Sequence, residues 1–365
     1  MAKVCTGGKL DRWSCIPAEE TNNKNAIYFA ITDNYSFAVA NVIMGLNKHS
    51  AKLMQSCDIL IYHNDVSEKN QKLLKSLHPN TCFIEMTAPV SWNELLNHKS
   101  TMRWGSINIC KYFGFMLINR YEKVLFLDAD MHVIGDISDL FEIEEEMAWR
   151  NVLAWKASDN FAALMRSPDD YISAGNAGLI YFTDKLRRYS LDEEDIANAF
   201  EKIKNLKRGG NDERIVAWIA YDNKINVKEL DVRIYNTPIQ RKTPATKLLH
   251  FLDYIGESTK PWKNLSAYLY FEDWAENYQR WLQLGGEGLV NFTKEDYFKL
   301  FSFDKLKRTE QLEIKLKASN ASAQEWKKNY NKVINSKSYK LTKPFRWLAN
   351  KYRKLKKKVK ACLIN

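Results

Sequence analysis

Residues 124–130 read VLFLDAD, a run in which four apolar residues end in Asp128 and Asp130. A short apolar run is typical of a buried strand, and open α/β sheets bind ligands at the carboxyl ends of their strands. Two carboxylates placed there without an adjacent basic residue would repel each other and resist burial. Hard oxygen ligands suit Mg²⁺ or Mn²⁺, so the run predicts a metal and diphosphate site. The alternative is an ordinary strand-to-turn junction, because Asp is common in turns.

The elements that must position these acids alternate between strand-like and helix-like segments through the first half of the chain. Short apolar runs predict strands at residues 26–31, 59–62, 82–84 and 124–127. Helices are predicted at residues 37–46, 67–77 and 106–119. Strands that alternate with helices imply crossover connections and a mostly parallel sheet. The prediction is therefore an α/β, Rossmann-like fold with helices flanking the sheet.

The second half of the chain has a looser pattern. Residues 152–155 and 178–182 are strand-like, and a charged helix is predicted over residues 191–206. Aromatic residues are dense over 268–300, whereas Lys and Glu dominate 305–332, as in a solvated helix or linker. The chain contains neither G-x-G-x-x-G nor G-x-x-x-x-G-K-S/T, so no glycine-rich loop of either kind holds phosphate. A metal ion and a lysine would have to take that role.

The composition is that of an ordinary globular protein. The 365 residues are 45% hydrophobic and 27% charged, which leaves room for one large domain plus extensions. The six cysteines are scattered without zinc-like spacing, which favours a reducing compartment over a disulfide framework. No run has the character of a secretory signal or a membrane span, so a cytoplasmic location is expected.

The formal net charge of +11 comes from one end of the chain. Residues 337–360 contain eleven Lys or Arg and no acid, which leaves 44 basic residues against 44 acidic ones elsewhere. Apolar residues recur there every three or four positions, at Leu341, Phe345, Leu348, Tyr352, Leu355 and Val359. This pattern predicts a basic amphipathic helix on an anionic membrane surface, because a nucleic-acid reader usually carries its charge on the folded domain. The alternative is a soluble charged tail.

Several ordered motifs between residues 26 and 262 resemble those of the retaining glycosyltransferases of family 8, a GT-A group that includes glycogenin and bacterial lipopolysaccharide galactosyl- and glucosyltransferases. FLDAD at 126–130 resembles the DxD signature of the family, and LLHF at 248–251 and KPW at 260–262 resemble two later motifs. The implied organisation is an N-terminal extension (1–24), a GT-A catalytic domain (25–265), a helical aromatic and charged extension (266–332) and a basic amphipathic tail (333–365).

The resemblance implies that Asp128, Asp130 and His250 bind Mn²⁺, with Mg²⁺ as the alternative ion, and that Lys260 holds the diphosphate of the donor. A mixed shell of carboxylates and imidazole is compatible with Mn²⁺. Taken alone, His250 would be a structural histidine on an apolar strand. The loop from His250 to Lys260, which contains Gly256, is longer than in the family pattern.

Further donor contacts follow from the same resemblance. ITDNY at 31–35 resembles the first-strand loop that holds uracil and ribose, and Lys111 lies where relatives place a donor-contacting Arg or Lys. The expected donor-binding residues are Thr32, Asp33, Asn34, Tyr35, Lys111, Asp128, Ala129, Asp130, Ala177, Gly178, Gly256 and Lys260. The alternatives are an ordinary turn at 32–35 and a solvated surface lysine at 111.

Two segments resemble the sugar site of the family. NAGL at 176–179 provides a small residue and a glycine that let backbone approach the sugar ring. Asp212 and Glu213 resemble an Asp-Gln pair beside the anomeric carbon, with Glu in place of Gln. Asn176, Asp212 and Glu213 are therefore the expected catalytic residues, and Glu213 could stabilise or attack an oxocarbenium ion. Alternatively, Asp212 caps a helix and Glu213 is an acid of its first turn.

Together these features predict a retaining hexosyltransferase that moves glucose or galactose from a UDP-sugar to a hydroxyl of a saccharide acceptor. The expected partners are the UDP-sugar, a glycan or lipid-linked acceptor such as lipopolysaccharide, and the cytoplasmic face of a membrane, with no nucleic acid. A front-face displacement is preferred, and a double displacement through Asp212 or Glu213 remains open. Two other functions are considered, namely a nucleotide-sugar hydrolase and a non-catalytic protein that its basic tail recruits to lipid or nucleic acid.

Overall fold

The computed structural model describes residues 3–4, 21–99, 101, 105–151, 175–205, 212–253 and 258–296, with short stretches between 317 and 336. The chain divides into two compact units, Met1–Asn291 and Phe292–Asn365. The first unit contains all the strands and helices named below. The second includes an exposed helical stretch at 324–329. Among the described residues, no helix combines the length and the apolarity that crossing a membrane requires.

The described strands account for two sheets and a short extra pair. In chain order they are β1 (Lys3–Val4), β2 (Asn25–Ile31), β3 (Cys57–His63), β4 (Thr81–Glu85), β5 (Thr87–Ala88), β6 (Lys123–Leu127), β7 (Met131–Val133), β8 (Met147–Asn151), β9 (Gly175–Thr183), β10 (Val227–Leu230), β11 (Thr237–Pro238) and β12 (Leu248–His250). β1 pairs with β5 in parallel.

The central sheet has the strand order β10-β8-β9-β6-β2-β3-β4. β2 is parallel to both of its neighbours, β3 and β6, and β3 is parallel to β4. β9 is antiparallel to β6 and β8, whereas β10 is parallel to β8. The predicted α/β architecture with a mostly parallel central sheet is therefore confirmed.

A second, three-stranded sheet lies directly after the DxD run, with the order β11-β12-β7. β12 is antiparallel to β7 and parallel to β11. Strands of two or three residues are too short to show a readable alternation, so the pairing of these three strands could not be predicted from the sequence pattern. This sheet matters for the site because β12 ends at His250.

Helices cover the sheet or connect its strands. The described α-helices are α1 (Ser36–His49), α2 (Ala51–Met54), α3 (Glu68–Leu77), α4 (Asn93–Asn97), α5 (Gly114–Leu117), α6 (Glu193–Ile203), α7 (Asp212–Asp222), α8 (Leu265–Tyr270) and α9 (Glu272–Gln283). The described 3-10 helices are Asp33–Tyr35, Val90–Trp92, Ser106–Phe113, Ser138–Glu142, Asp184–Tyr189 and Ile239–Arg241.

The strands alternate their side chains between two hydrophobic cores, one on each face of the central sheet. Tyr28 and Phe126 belong to one core, whereas Ile27 and Leu125 belong to the other. Residues 124–127 are all at most 1% exposed, as a strand buried on both faces requires. α9 packs on the second of these cores, where the Asn41 side chain donates to the Trp274 carbonyl at 2.8 Å.

One predicted helix differs in type from the element observed there, and one predicted strand cannot be compared with the structure. The predicted helix at 106–119 is a 3-10 helix that becomes the short α5 at Gly114, where a Cβ atom would lie 2.3 Å from the Phe182 ring. The predicted strand at 152–155 lies outside the described residues, and β8 ends just before it. The predicted helix at 67–77 agrees with α3, which Ser67 caps through its hydroxyl.

Candidate active site

The Asp128–Asp130 turn connects the central sheet to the small one. β6 ends at Leu127, and the Asp128 amide then donates to the Gly178 carbonyl on the neighbouring strand at 2.8 Å. The Met131 amide donates back to the Asp128 carbonyl at 3.2 Å, which closes the turn before β7. Backbone hydrogen bonds on both sides therefore fix the backbone of the turn that carries the two carboxylates.

His250 reaches this turn because β12 runs antiparallel to β7, with His250 opposite Met131. The Phe251 amide donates to the Asp130 carbonyl at 3.0 Å, which extends the pairing by one residue. His250 Nε2 lies 3.1 Å from Asp130 Oδ1 and 3.8 Å from Asp128 Oδ2. One ligand atom from each of these three residues lies within 4.8 Å of the others. The predicted triad is thus brought together from positions 120 residues apart.

Lys111 is a buried cation between two acids. It is 4% exposed, and its Nζ lies 3.1 Å from Asp128 Oδ1 and 2.8 Å from Asp212 Oδ2. Burial alone would lower the pKa of Lys111, but the two carboxylates raise it above its usual range. Tyr28 fixes the segment by donating its hydroxyl to the Lys111 carbonyl at 2.6 Å. The solvated lysine considered as an alternative is therefore excluded.

Lys260 supplies the second cation, next to Asp130. Its ammonium group contacts Asp130 Oδ2 and lies 5.6 Å from the centre of the Trp262 ring. Burial would raise the pKa of Asp130, yet His250 and Lys260 together hold it well below its usual range. The two acids have no basic neighbour in the sequence, but the fold brings Lys111 to Asp128 and Lys260 to Asp130. Gly256 lies outside the described residues.

The opposite end of the site holds the expected sugar-binding residues. Asn176, near the start of β9, donates from Nδ2 to Glu213 Oε1 at 3.0 Å. Burial, reinforced by the charge of neighbouring Asp212, raises the pKa of Glu213 to about 7. Asp212 is the first residue of α7, and its carboxylate accepts a hydrogen bond from the Glu213 amide at 3.0 Å. The same carboxylate therefore binds a backbone amide of the first helical turn and pairs with Lys111.

Gly178 stands between the two ends. A Cβ atom built there would lie 2.3 Å from His250 Cε1, so only glycine lets the imidazole lie against β9. The sequence suggested that this glycine makes room for a sugar ring. The structure gives a second reason, which is close packing of the histidine. On its other side, the His250 ring contacts Asn236, whose Oδ1 lies 2.7 Å from His250 Nδ1.

These residues line a cavity of about 690 Å³, which is within the usual range for ligand sites. Of the expected residues, its lining includes Thr32, Tyr35, Lys111, Asp128, Ala129, Asp130, Asn176, Ala177, Gly178, Asp212, Glu213, His250 and Lys260. Asp33 and Asn34 are described but do not belong to this lining. The Asp33 carboxylate instead accepts the Ser67 amide at 2.9 Å and the Asn70 side chain at 2.8 Å, so it holds the start of α3.

Some lining and supporting residues were not predicted. Lys263 and Asp253 line the cavity beside Lys260, and Asn108 lines it beside Lys111. Asn236 is fully buried behind the histidine and has a backbone φ of 50°. An Asn next to a turn is a weak hint of such a φ, since Asn tolerates this region better than most residues. The contacts of these unpredicted residues depend on the tertiary fold, which no local sequence pattern reveals.

Comparisons with known proteins agree with this geometry. Residues 26–266 match the sequence model of the family described as "Glycosyl transferase family 8". A search of the curated proteins found no match.

Among solved structures, the galactosyltransferase LgtC in complex with donor and acceptor sugar analogs is 18% identical with a TM-score of 0.52. That match covers 75% of this chain and 100% of LgtC. The apo structure of the bifunctional glycosyltransferase WbbM is 21% identical with a TM-score of 0.51. The match covers 73% of this chain and 52% of WbbM, so the chain spans about half the length of that protein.

These similarities show the GT-A fold, with its mixed α/β layers and its mostly parallel sheet. The family match extends over most of the chain and includes the Asp128–Asp130 turn, His250 and Lys260. The chain belongs to glycosyl transferase family 8 and is a glycosyltransferase.

Proposed function

We propose that this glycosyltransferase moves a hexose, glucose or galactose, from a UDP-sugar to a hydroxyl of a saccharide acceptor with retention of the anomeric configuration. The observation that carries the proposal is the convergence of Asp128, Asp130 and His250 within 4.8 Å at the wall of the cavity. The cavity also holds Lys260 at one end and Glu213 at the other. A charged diphosphate leaving group could thus bind beside the triad and Lys260, while the sugar could form hydrogen bonds with Glu213.

The donor set fits a divalent cation. Two carboxylates and an imidazole face one another, and carboxylate ligands favour Mn²⁺ or Mg²⁺ while the imidazole favours Mn²⁺ of these two. Asp128, Asp130 and His250 would hold the ion. Once bound, Mn²⁺ supplies Lewis-acid stabilisation of the negative charge on the departing diphosphate.

The basic residues of the cavity support the same assignment. Lys260 keeps its proton because Asp130 raises its pKa, although burial opposes this, so it is a permanent cation for a phosphate oxygen. Tyr35 and Thr32 line the cavity near the end of β2, where an aromatic ring and a hydroxyl suit a uracil base and a ribose. We assign the nucleotide to this side of the cavity.

The acids at the sugar end favour a front-face displacement. A double displacement needs an ionised, unhindered carboxylate as nucleophile. Asp212 is engaged by Lys111 at 2.8 Å, and Glu213, with its pKa near 7, is only partly ionised at neutral pH. Both features weaken these carboxylates as nucleophiles. We therefore assign Asn176 and Glu213 to holding the sugar while the acceptor hydroxyl attacks from the side of the departing diphosphate.

The test is a panel of UDP-sugars supplied with Mn²⁺ and with small glycoside acceptors. We expect UDP release and a new glycoside with UDP-glucose or UDP-galactose, and loss of both when Mn²⁺ is chelated. The anomeric proton coupling of the product, read by NMR, gives the stereochemistry. An inverted product would contradict the proposal. Release of free sugar that no acceptor diminishes would instead identify a nucleotide-sugar hydrolase.

We further propose that residues 337–360, which lie outside the described residues, hold the enzyme on the cytoplasmic face of a membrane where its acceptor is lipid-linked. Eleven basic residues near an anionic surface contribute roughly 1 kcal/mol each, so a fraction of them is enough for binding.

Deleting residues 337–365 should release the protein from anionic vesicles and spare turnover of a soluble acceptor. A matched deletion of 361–365 keeps every one of these charges and should leave vesicle binding unchanged. Vesicle binding that survives the longer deletion would place the anchor elsewhere.

A further inference from the structure

Four polar groups form a continuous hydrogen-bonded line behind the cavity wall. The Gly178 amide faces Asn176 Oδ1 at 3.2 Å, and Asn236 Nδ2 faces the same oxygen at 2.9 Å. Asn236 Oδ1 then faces His250 Nδ1 at 2.7 Å. Asn236 is 0% exposed, so its amide needs hydrogen-bond partners inside the fold.

The orientation of every group in the line follows from its first member. A backbone N–H can only donate, so the Asn176 atom opposite Gly178 must be the oxygen. The Asn236 atom that faces this oxygen must then be the amide nitrogen, which leaves the Asn236 oxygen toward His250. An oxygen accepts, so the hydrogen between Asn236 and His250 lies on Nδ1.

The consequence for His250 is chemical. With a hydrogen on Nδ1, a neutral imidazole presents the lone pair of Nε2, the atom that lies 3.1 Å from Asp130 Oδ1 and belongs to the ligand triad. Partners of this kind fix the tautomer and the ring direction of metal-binding histidines. Asn236 makes the contact that fixes His250 in this structure, although no family motif in the sequence includes Asn236.

The same line reaches the sugar end of the cavity. Because Asn176 Oδ1 is held by Gly178 and Asn236, its Nδ2 points at Glu213 Oε1, 3.0 Å away. We propose that Asn236 is a positioning residue that aims His250 Nε2 at the metal and, through Asn176, holds Glu213 in place. This inference rests on the proposed Mn²⁺ and UDP-sugar function. The two branches end on different groups, so two substitutions separate them.

Asn236→Gly removes both branches and suits the φ of 50° at this position. The full chain is titrated with Mn²⁺ at saturating UDP, and free Mn²⁺ is followed by its EPR signal. We expect the Mn²⁺ dissociation constant to rise about 10- to 100-fold. Pulsed EPR should also show weakened nitrogen coupling to the bound ion. Ser190→Gly, at an exposed position with the same φ, is the matched control and should change neither.

Asn236→Asp keeps the acceptor for His250 and loses the donor for Asn176. We expect Mn²⁺ affinity to stay at the wild-type value or to rise, while the turnover of UDP-glucose or UDP-galactose falls roughly 10-fold or more. The proposal is overturned if Asn236→Gly binds Mn²⁺ like the wild type with intact nitrogen coupling. It is equally overturned if Asn236→Asp loses both Mn²⁺ affinity and turnover, or if it loses neither. If the glycine variant does not fold, the result for Asn236→Asp alone tests the proposal.

The failure of the proposed function has a different signature. If the wild-type chain with UDP binds no Mn²⁺, the metal assignment itself is wrong. If the wild type binds Mn²⁺ and both Asn236 variants behave like it, the metal assignment stands and only the role of Asn236 is refuted.

Discussion

Asp130 and Glu213, at opposite ends of the cavity, have pKa values that are displaced in opposite directions. At the metal end, Asp130 contacts His250 and Lys260, and its pKa lies below the usual range although its partial burial opposes this. At the sugar end, Glu213 receives a hydrogen bond from the neutral amide of Asn176 and lies beside the acid Asp212. Burial therefore prevails there and raises the pKa of Glu213 to about 7.

This difference shows that partners, rather than residue type, set the charge of a buried acid. A metal ligand has to be ionised, and the Lys260 ammonium group beside Asp130 favours that form. A group that contacts a sugar hydroxyl gains from carrying a proton part of the time, because it can then donate as well as accept. Lys111 joins the two ends, since it pairs with Asp128 on one side and Asp212 on the other.

Removing the carboxylate at the metal end should have the largest effect. Asp130→Ala deletes one of the three proposed ligands and leaves Lys260 without its partner. We expect Mn²⁺-dependent turnover of the donor to fall at least about 10³-fold, or roughly 4 kcal/mol of transition-state stabilisation. Steady-state kinetics over a range of Mn²⁺ concentrations measures this loss.

Asp139→Ala is the control for that experiment, because Asp139 is half exposed, pairs with Lys247 and does not line the cavity. Turnover of this control should match the wild type. Normal turnover of Asp130→Ala would refute the metal site and remove one side of the comparison.

Lys111→Met should have the next largest effect, on stability. It leaves the partly buried carboxylates of Asp128 and Asp212 without their shared, buried cation. Losing one partner of a buried pair typically costs about 3 to 5 kcal/mol, so the urea midpoint should fall clearly. Lys185→Met, which breaks an exposed pair with Glu144, should cost at most about 1 kcal/mol. Equal losses of stability for the two variants would mean that the buried ion pairs of Lys111 contribute no more than the exposed pair of Lys185.

The sequence predicted the part of the site that depends on local pattern. A buried strand needs apolar residues, whereas the position after its end can be polar. The apolar run at 124–127 followed by Asp128 therefore predicted a strand that ends at Leu127, in agreement with β6. His250 and Lys260 were found through the motifs around them, and the structure brings both to Asp130.

What the sequence did not reveal depends on pairing between distant segments. Lys111 and Asp212 are 101 residues apart, and the helices and strands between them decide whether they meet. β12 has three residues, and its pairing with β7 is what carries His250 to the acids. The contacts of Asn236 depend on its positive φ and on its partner Asn176, which lies on β9. Periodicity within a segment carries no information on either.

Glu213→Gln should have the smallest of the three effects, and it depends on pH. Between the ordinary carboxyl pKa of 4.5 and the raised pKa of about 7, the folded chain keeps a proton that the unfolded chain has lost. The unfolded state then binds fewer protons, so stability falls as the pH rises through this window. Glutamine has no proton to lose and keeps the neutral hydrogen bond to Asn176.

At pH 8, Glu213→Gln should therefore be more stable than the wild type by roughly 2 to 3 kcal/mol, and at pH 5 the gain should shrink below about 1 kcal/mol. Urea unfolding of both chains at the two pH values measures the difference. Glu144→Gln, at an exposed acid paired with Lys185, should leave the stability close to that of the wild type at either pH. A gain for Glu213→Gln that does not depend on pH would mean that Glu213 is ionised in the folded chain, and Asp130 and Glu213 would then carry the same charge.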